Sequence, residues 1–407
     1  MKTLKRSILV FILAISGAGS VRAAAGDPIV SNDYRLDLTR TVTTGSTRKI
    51  GMGGAFVGLA EGNAAIPDNP AAVAYRPRAF MRDWEFDMVL GSVVTTDDDA
   101  DNSGSSSLIY GDQLLVDFGL MGQYKRFGMG GVGQATVVDS DNLPEGENAQ
   151  FLSGTAALGY TFLDDQIAVG FSFDPVGARL KDETHRNQTA FHLTGWGWGT
   201  GMIWHPNRGH WHFGAALASS VSSNEDLPQS TSPVTVGSLI VPKGVYTTGS
   251  LAVGTAYEWN QFPLWRSRPA IGTFDVRFFG DSPADANGSN AFVKQTAQPS
   301  GQKTIMTIHG GLEVEALPRV LRLRIGTYRE PSRYDDVATR YHITGGFEVR
   351  LTKRNVWDKR PLAISYAFDH AARYQVHSVS IWLYTFTIPV PSREENAQKK
   401  GFHDREE

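Results

Sequence analysis

The chain contains no cysteine, so neither disulfides nor a lipidated N-terminal cysteine can hold or anchor it. Beyond its first residues it has no run of about eighteen uninterrupted apolar residues, which excludes a membrane-spanning helix. It also lacks a strong charge bias: 39 Lys and Arg against 42 Asp and Glu leave a formal charge of −3, which points to neither nucleic acid nor another polyanion. No Gly-x-Ser-x-Gly elbow and no phosphate-binding loop occurs. The spacing Gly128-x-Gly130-x-x-Gly133 matches a dinucleotide fingerprint on paper but is not followed by a helix. His205, His210 and His212 are metal-ligand types, yet they sit in His-Pro-Asn-Arg-Gly-His-Trp-His, which reads as a polar turn between aromatic-rich strands. The expectation is therefore a chain with no enzymatic activity, no resident metal and no cofactor.

The N-terminus indicates export. Lys2, Lys5 and Arg6 precede the apolar run Ile8 to Ile15, and Ala23, Ala24 and Ala25 offer small residues for cleavage. Residues 1–25 thus read as a secretory signal peptide, too short to span as a helix. An exported chain with neither helix nor lipid is periplasmic, secreted, or a barrel.

Alternation favours the barrel. Met306, Ile308, Leu312 and Val314 fall on one face of a pleated strand, against His309, Glu313 and Glu315 on the other. Leu321, Leu323 and Ile325 alternate with Arg322 and Arg324, and Tyr341, Ile343, Phe347 and Val349 with His342, Thr344, Glu348 and Arg350. Strands are expected at 84–95, 114–126, 128–138, 151–163, 165–177, 190–205, 209–222, 247–259, 269–280, 303–315, 319–328, 340–351, 361–369 and 374–386. The count is even, and most strands reach the 9–11 residues that a tilted membrane strand needs. Connections alternate between long and polar, as at 96–113 and 281–302, and brief, as around Phe127 and Asp164. That parity describes a closed barrel in an asymmetric membrane. A mean hydropathy of −0.23 does not oppose this, because alternate residues face the lumen.

Aromatic residues such as Tyr124, Tyr160, Trp204, Trp211, Trp259 and Trp265 lie near expected strand ends, where amphipathic rings suit a membrane surface. Trp196 and Trp198 extend the set. Between the seventh and eighth strands, Val234 to Val245 is apolar and reads as either a lid that gathers hydrophobic substrate or a docking surface for another protein. Residues 389–407 form a polar, charged tail, expected in the periplasm where it could contact a partner.

Ahead of the first strand the alternation stops. Gly51, Met52, Gly53, Gly54, Ala55 and Phe56 open a block of small residues, and Asn69 before Pro70 and Ala71 signals a capped helical turn. The run from Arg48 to Tyr75 resembles the N-terminal segment of the FadL-like outer-membrane transporters, including their PorV-type branch, which carry a Gly-Met-Gly-Gly-Ala-Phe-like stretch and then an Asn-Pro-Ala turn. The resemblance implies an all-β fold, a transmembrane antiparallel barrel of about fourteen strands, with a small helical hatch over 26–80, the barrel over 81–388, and an outer-membrane location in a Gram-negative-type bacterium.

It also implies passive uptake of hydrophobic small molecules, such as long-chain fatty acids or aromatic hydrocarbons. The alternative is a PorV-type role as a binding partner in protein secretion or surface anchoring. Gly128, Gly130, Gly131 and Gly133 are candidates for a wall kink that lets substrate leave sideways, because glycine in a strand marks a bend or a close approach. Arg277, Arg322, Arg324 and Arg350 are candidate luminal contacts for a headgroup, though such charges also pair with each other or with the hatch. Expected partners are outer-membrane lipids, a hydrophobic ligand and a protein contacting the tail or the apolar loop.

Overall fold

A computed structural model of the chain describes residues 24–75, 84–95, 99, 101–104, 113–138, 147–182, 188–223, 232–236, 238–265, 268–318, 320–351 and 362–383. Most of the expected signal peptide and all of the expected polar tail lie outside the described residues.

Fourteen antiparallel strands close into a barrel. They are β1 (Trp84–Thr95), β2 (Gln113–Tyr124), β3 (Phe127–Val138), β4 (Glu147–Phe162), β5 (Ile167–Asp182), β6 (Gln188–Trp204), β7 (Trp211–Ala218), β8 (Ser250–Trp259), β9 (Ala270–Phe279), β10 (Ile305–Leu317), β11 (Leu321–Glu330), β12 (Arg340–Arg350), β13 (Leu362–Ala371) and β14 (Tyr374–Leu383). Closure comes from β1 pairing with β14, from Met88 opposite Leu383 to Thr95 opposite Val376. The strand count agrees with the sequence reading, and most connections keep the long-short parity; 183–187, expected as part of a long gap over 177–189, and 372–373 are short, while 260–269 and 351–361 are long. Where the reading ran the seventh strand to 222, the wall strand ends at Ala218 and Val221–Ser222 turn into a separate sheet above the barrel.

The alternation sorts side chains by solvent. Leu158, Phe171, Trp196, Trp198, Ile325, Tyr341 and Ile343 are exposed on the outer surface. Asp117, Asp275, Glu313, Arg324, Glu348 and Asp369 are buried on the inner one. A lipid-facing apolar belt around a charged lumen is what a bilayer demands of a closed sheet.

At the long-loop end sits a cap. Arg35–Asp37 pairs in parallel with Gly244–Thr247 on one side and Ala286–Gly288 on the other. Its apolar core joins Tyr34 and Leu36 to Leu239, Val241 and Val245 and to Phe292 and Val293, over Phe151, Leu180 and Leu193 of the wall. The stretch expected as a lid or docking surface therefore packs inward. A hydrophobic run in a loop has the same signature whether it faces a partner or its own chain. Arg35 clamps Asp285 with both carboxylate oxygens at 2.6–2.7 Å, and Arg333 reaches Asp37 at 2.9 Å.

Candidate functional site: a plugged lumen with a chamber above it

From the cap the chain descends through the lumen. Residues 47–75 begin with α1 (Thr47–Gly51), capped at its start by Ser46, and end with a single 3-10 turn over Pro70–Val73. Asn69 caps that turn, its Oδ1 accepting from Ala71 N at 3.1 Å with Pro70 at the first helical position, as the Asn-Pro pair predicts. Gly53 and Gly54 hold φ of 61° and 75°, a left-handed bend that favours glycine. A Cβ on Gly53 would also lie 2.8 Å from Thr327 N of the wall. Met52 and Phe56 are fully buried, in a cluster with Leu59, Ile66 and Ala71 to Tyr75 that packs on Met121, Val132, Ala157 and Ile203 of the wall.

The wall meets this segment with bare backbone. A Cβ added to Gly128 would fall 1.7 Å from Val73 O, to Gly170 2.3 Å from the Pro70 carbonyl, to Gly214 2.0 Å from Val57 O, and to Gly326 2.3 Å from Gly53 N. Inward glycines on four strands thus form a seat into which the luminal segment fits only because no side chain stands there. This accounts for the inward members of the expected kink: Gly128 clears Val73, and Gly130 clears Ile66. Gly133 has nothing within 4 Å. The ladders of β3 to β2 and β4 run through these glycines without a register shift, so the wall is continuous at Gly128 to Gly133 in this structure.

Two ionic clusters lock the segment in place. Arg48 of α1 donates to both oxygens of Glu313 at 3.0 Å, and Glu313 also binds Arg324 at 2.6 Å, which in turn holds Glu348 at 2.5 Å. Lys49 reaches Asp68 at 2.8 Å within the segment, and Arg277 reaches Asp68 at 2.5 Å from the wall. Charges this deep are stable only as hydrogen-bonded pairs, and removing one member of such a pair costs about 3–5 kcal/mol. The four arginines expected as headgroup contacts are all beside carboxylates: Arg277 and Arg324 as above, Arg322 at 3.6 Å from Glu313, and Arg350 at 3.4 Å from Glu348. The structure brings them to the segment's locks; of the four, Arg277 also lines the chamber above.

The far end is held by the histidines singled out in the sequence. Tyr75 OH lies 3.3 Å from His205 Nδ1 and 3.0 Å from His212 Nδ1, and the two imidazoles lie 4.2 Å apart, tilted by 33°. His205 Nε2 lies 2.8 Å from Gly209 O and His212 Nε2 lies 3.2 Å from Glu258. Among the described residues no group of three metal-binding side chains converges here or elsewhere. Higher up, His342 is placed between Asp369 at 2.9 Å and Glu330 at 3.1 Å, with Thr41 of the descending segment donating to Glu330 at 2.5 Å.

Between the seated segment and the cap lie two adjoining cavities of about 270 and 260 Å³, sharing Arg40, Thr44, Pro67, Thr155, Asp174 and Val176 in their walls. Ligand pockets typically run from about 300 to 1,000 Å³. Beside the first cavity the wall is interrupted. β4 and β5 pair from Glu147 opposite Asp182 to Ser153 opposite Val176, and again from Ala156 opposite Phe173, but the two rungs between them are missing. Pro175 stands at one of those rungs and has no N–H to donate. Gly154, opposite it, brings no side chain to fill the space. Leu152 and Gly154 of the outer face line the cavity together with Ser153 and Thr155 of the inner face. Pro175 was legible in the sequence as a proline inside an expected strand; the missing rungs were not.

These features define an outer-membrane β-barrel with an occupied lumen, a chamber above the occupying segment and a thinned wall beside it. No family model and no curated protein matches the chain. Among solved structures, the CymD monoaromatic hydrocarbon channel superimposes with a TM-score of 0.54 at 11% identity, covering 86% of this chain and 100% of that one. The Pseudomonas putida toluene transporter TodX does so with a TM-score of 0.53 at 15% identity, covering 86% and 99%. The chain thus shares the fold of these two channels, which is the barrel that the Gly51 to Ala71 motifs led one to expect.

Proposed function

We propose that the chain mediates passive uptake of hydrophobic small molecules across the outer membrane, with residues 47–75 acting as a hatch. Ligand would enter past the cap, rest in the chamber and leave sideways between β4 and β5. The observation that carries this reading is the chamber's position, closed below by a segment seated on glycines and bounded laterally by the two missing rungs at Pro175. An apolar solute leaving there would stay out of the aqueous periplasm, sparing it about 0.8 kcal/mol of hydration cost per methylene. The shared fold with a toluene transporter and a monoaromatic hydrocarbon channel supports the same class of cargo. Relocating the exit from Gly128–Gly133 to Gly154–Pro175 follows from where the ladder breaks.

The rival role, a partner for secreted or surface-anchored proteins, loses one expected contact because Leu239, Val241 and Val245 are buried in the cap. The absence of native cysteine allows a direct test: in Thr155→Cys/Asp174→Cys, oxidation should tie β4 to β5 and slow uptake of a hydrophobic probe, and reductant should restore it. Uptake indifferent to the disulfide would refute the lateral route.

A further inference from the structure

We infer that the chamber is built for a neutral, oxygen-bearing small molecule, a phenol or an aromatic alcohol, rather than for a bare hydrocarbon. This rests on the uptake reading and narrows its cargo. The chamber's walls are rich in hydroxyls: Thr43, Thr44, Thr155, Thr247, Thr248 and Ser250 all line it, joined by Asp174 and Arg40. Apolar side chains alternate with them, among them Val42, Pro67, Val176, Leu217, Val221 and Phe279.

A hydrocarbon seated here would strip water from the lining threonine and serine hydroxyls and give nothing back, a cost that falls on every donor or acceptor left unsatisfied. A hydroxyl-bearing ring donates to and accepts from threonine hydroxyls while its apolar body rests on Pro67, Val176 and Phe279. Sites that hydrogen-bond a ligand hydroxyl reject the analogue lacking it far more strongly than apolar pockets reject an extra methylene. A charged ligand fits less well. The cations facing the chamber are already engaged: Arg277 with Asp68 at 2.5 Å, Lys49 with Asp68 at 2.8 Å, and Arg40 as a donor to Thr136 at 2.8 Å. Asp174, meanwhile, repels an anion.

The test compares p-cresol with toluene, which differ by one hydroxyl, by isothermal titration of the purified full chain in detergent with micelle blanks subtracted. The expected result is at least tenfold tighter binding of p-cresol, and a loss of most of that preference in Thr44→Val/Thr155→Val/Thr247→Val. The single variant Thr247→Val should lose part of it, and heat-modifiable migration confirms that each variant is assembled. Toluene binding as tightly as p-cresol to the unmodified chain would overturn the inference while leaving hydrophobic uptake standing. Neither compound binding above the blank would overturn the inference and, with it, an aromatic cargo for the uptake reading.

Discussion

The seat of the luminal segment can be probed at two glycines of one strand. In Gly128→Ala the new Cβ would lie 1.7 Å from Val73 O and 2.3 Å from its carbonyl carbon, so the backbone of the segment has to move by more than an ångström. Val73 O also accepts from Gln123 Nε2 at 2.7 Å, and moving it breaks that buried bond. Overpacking and a lost buried hydrogen bond together cost on the order of 3 kcal/mol, which would raise the unseated population roughly a hundredfold. Gly133→Ala meets nothing within 4 Å and should change nothing. Because the chain has no cysteine, Ala72→Cys places a single reporter in the buried segment. Its modification by a water-soluble maleimide, in the Gly128→Ala background, should be about a hundredfold faster than in the Gly133→Ala background if labelling follows the open population. Equal rates would refute the seat, and would return Gly128 to the role of a bend in the wall.

Four further outcomes follow from the same geometry. Glu313→Ala leaves Arg48, Arg322 and Arg324 facing one another and should destabilise the seated segment by about 3–5 kcal/mol, read with the same Ala72→Cys reporter. Tyr75→Phe removes the hydroxyl between His205 and His212 and should loosen the far end by about 1 kcal/mol, seen as faster amide exchange in residues 71–75 with an unchanged barrel. Pro175→Val restores an N–H at the broken ladder and should protect that new amide from exchange while slowing uptake; a fully exchanging amide would show that the gap has another cause. In the cap, burial would lower the Lys243 pKa, but hydrogen bonds to Asp285 at 2.6 Å and to Asp33 outweigh it and raise it above 10.5. Its contribution is therefore complete below that value and lost as pH rises through the raised one, so proteolytic nicking of the cap should begin only in strong alkali.

How far each feature could be read from the chain depends on how local its cause is. The walls were legible because a period of two is written into every strand: Leu323 and Ile325 against Arg322 and Arg324 needs no knowledge of neighbours. The Asn69-Pro70 cap is likewise local, and the structure forms it. What was misplaced depends on contacts between distant residues. Gly128 and Gly130 signalled close approach, but only the position of Val73 and Ile66 shows that the approaching backbone is the luminal segment. Arg324 could be placed on the inner face from its alternation, yet its partners Glu313 and Glu348 come from two other strands. The packing of the apolar stretch around Leu239 and Val241 was unreadable for the same reason, since Tyr34 and Phe292, which cover it, are hundreds and tens of residues away.

The most direct test of hatch-gated uptake is made in cells lacking their own hydrophobic-compound channels, by following the entry of radiolabelled aromatic and fatty-acid probes with and without this chain. Expression of the assembled barrel should raise entry of at least one hydrophobic probe, and Thr155→Cys/Asp174→Cys under oxidising conditions should return it to the background rate. Entry unchanged for every probe, with the barrel assembled and a stoichiometric protein partner recovered alongside it, would contradict uptake.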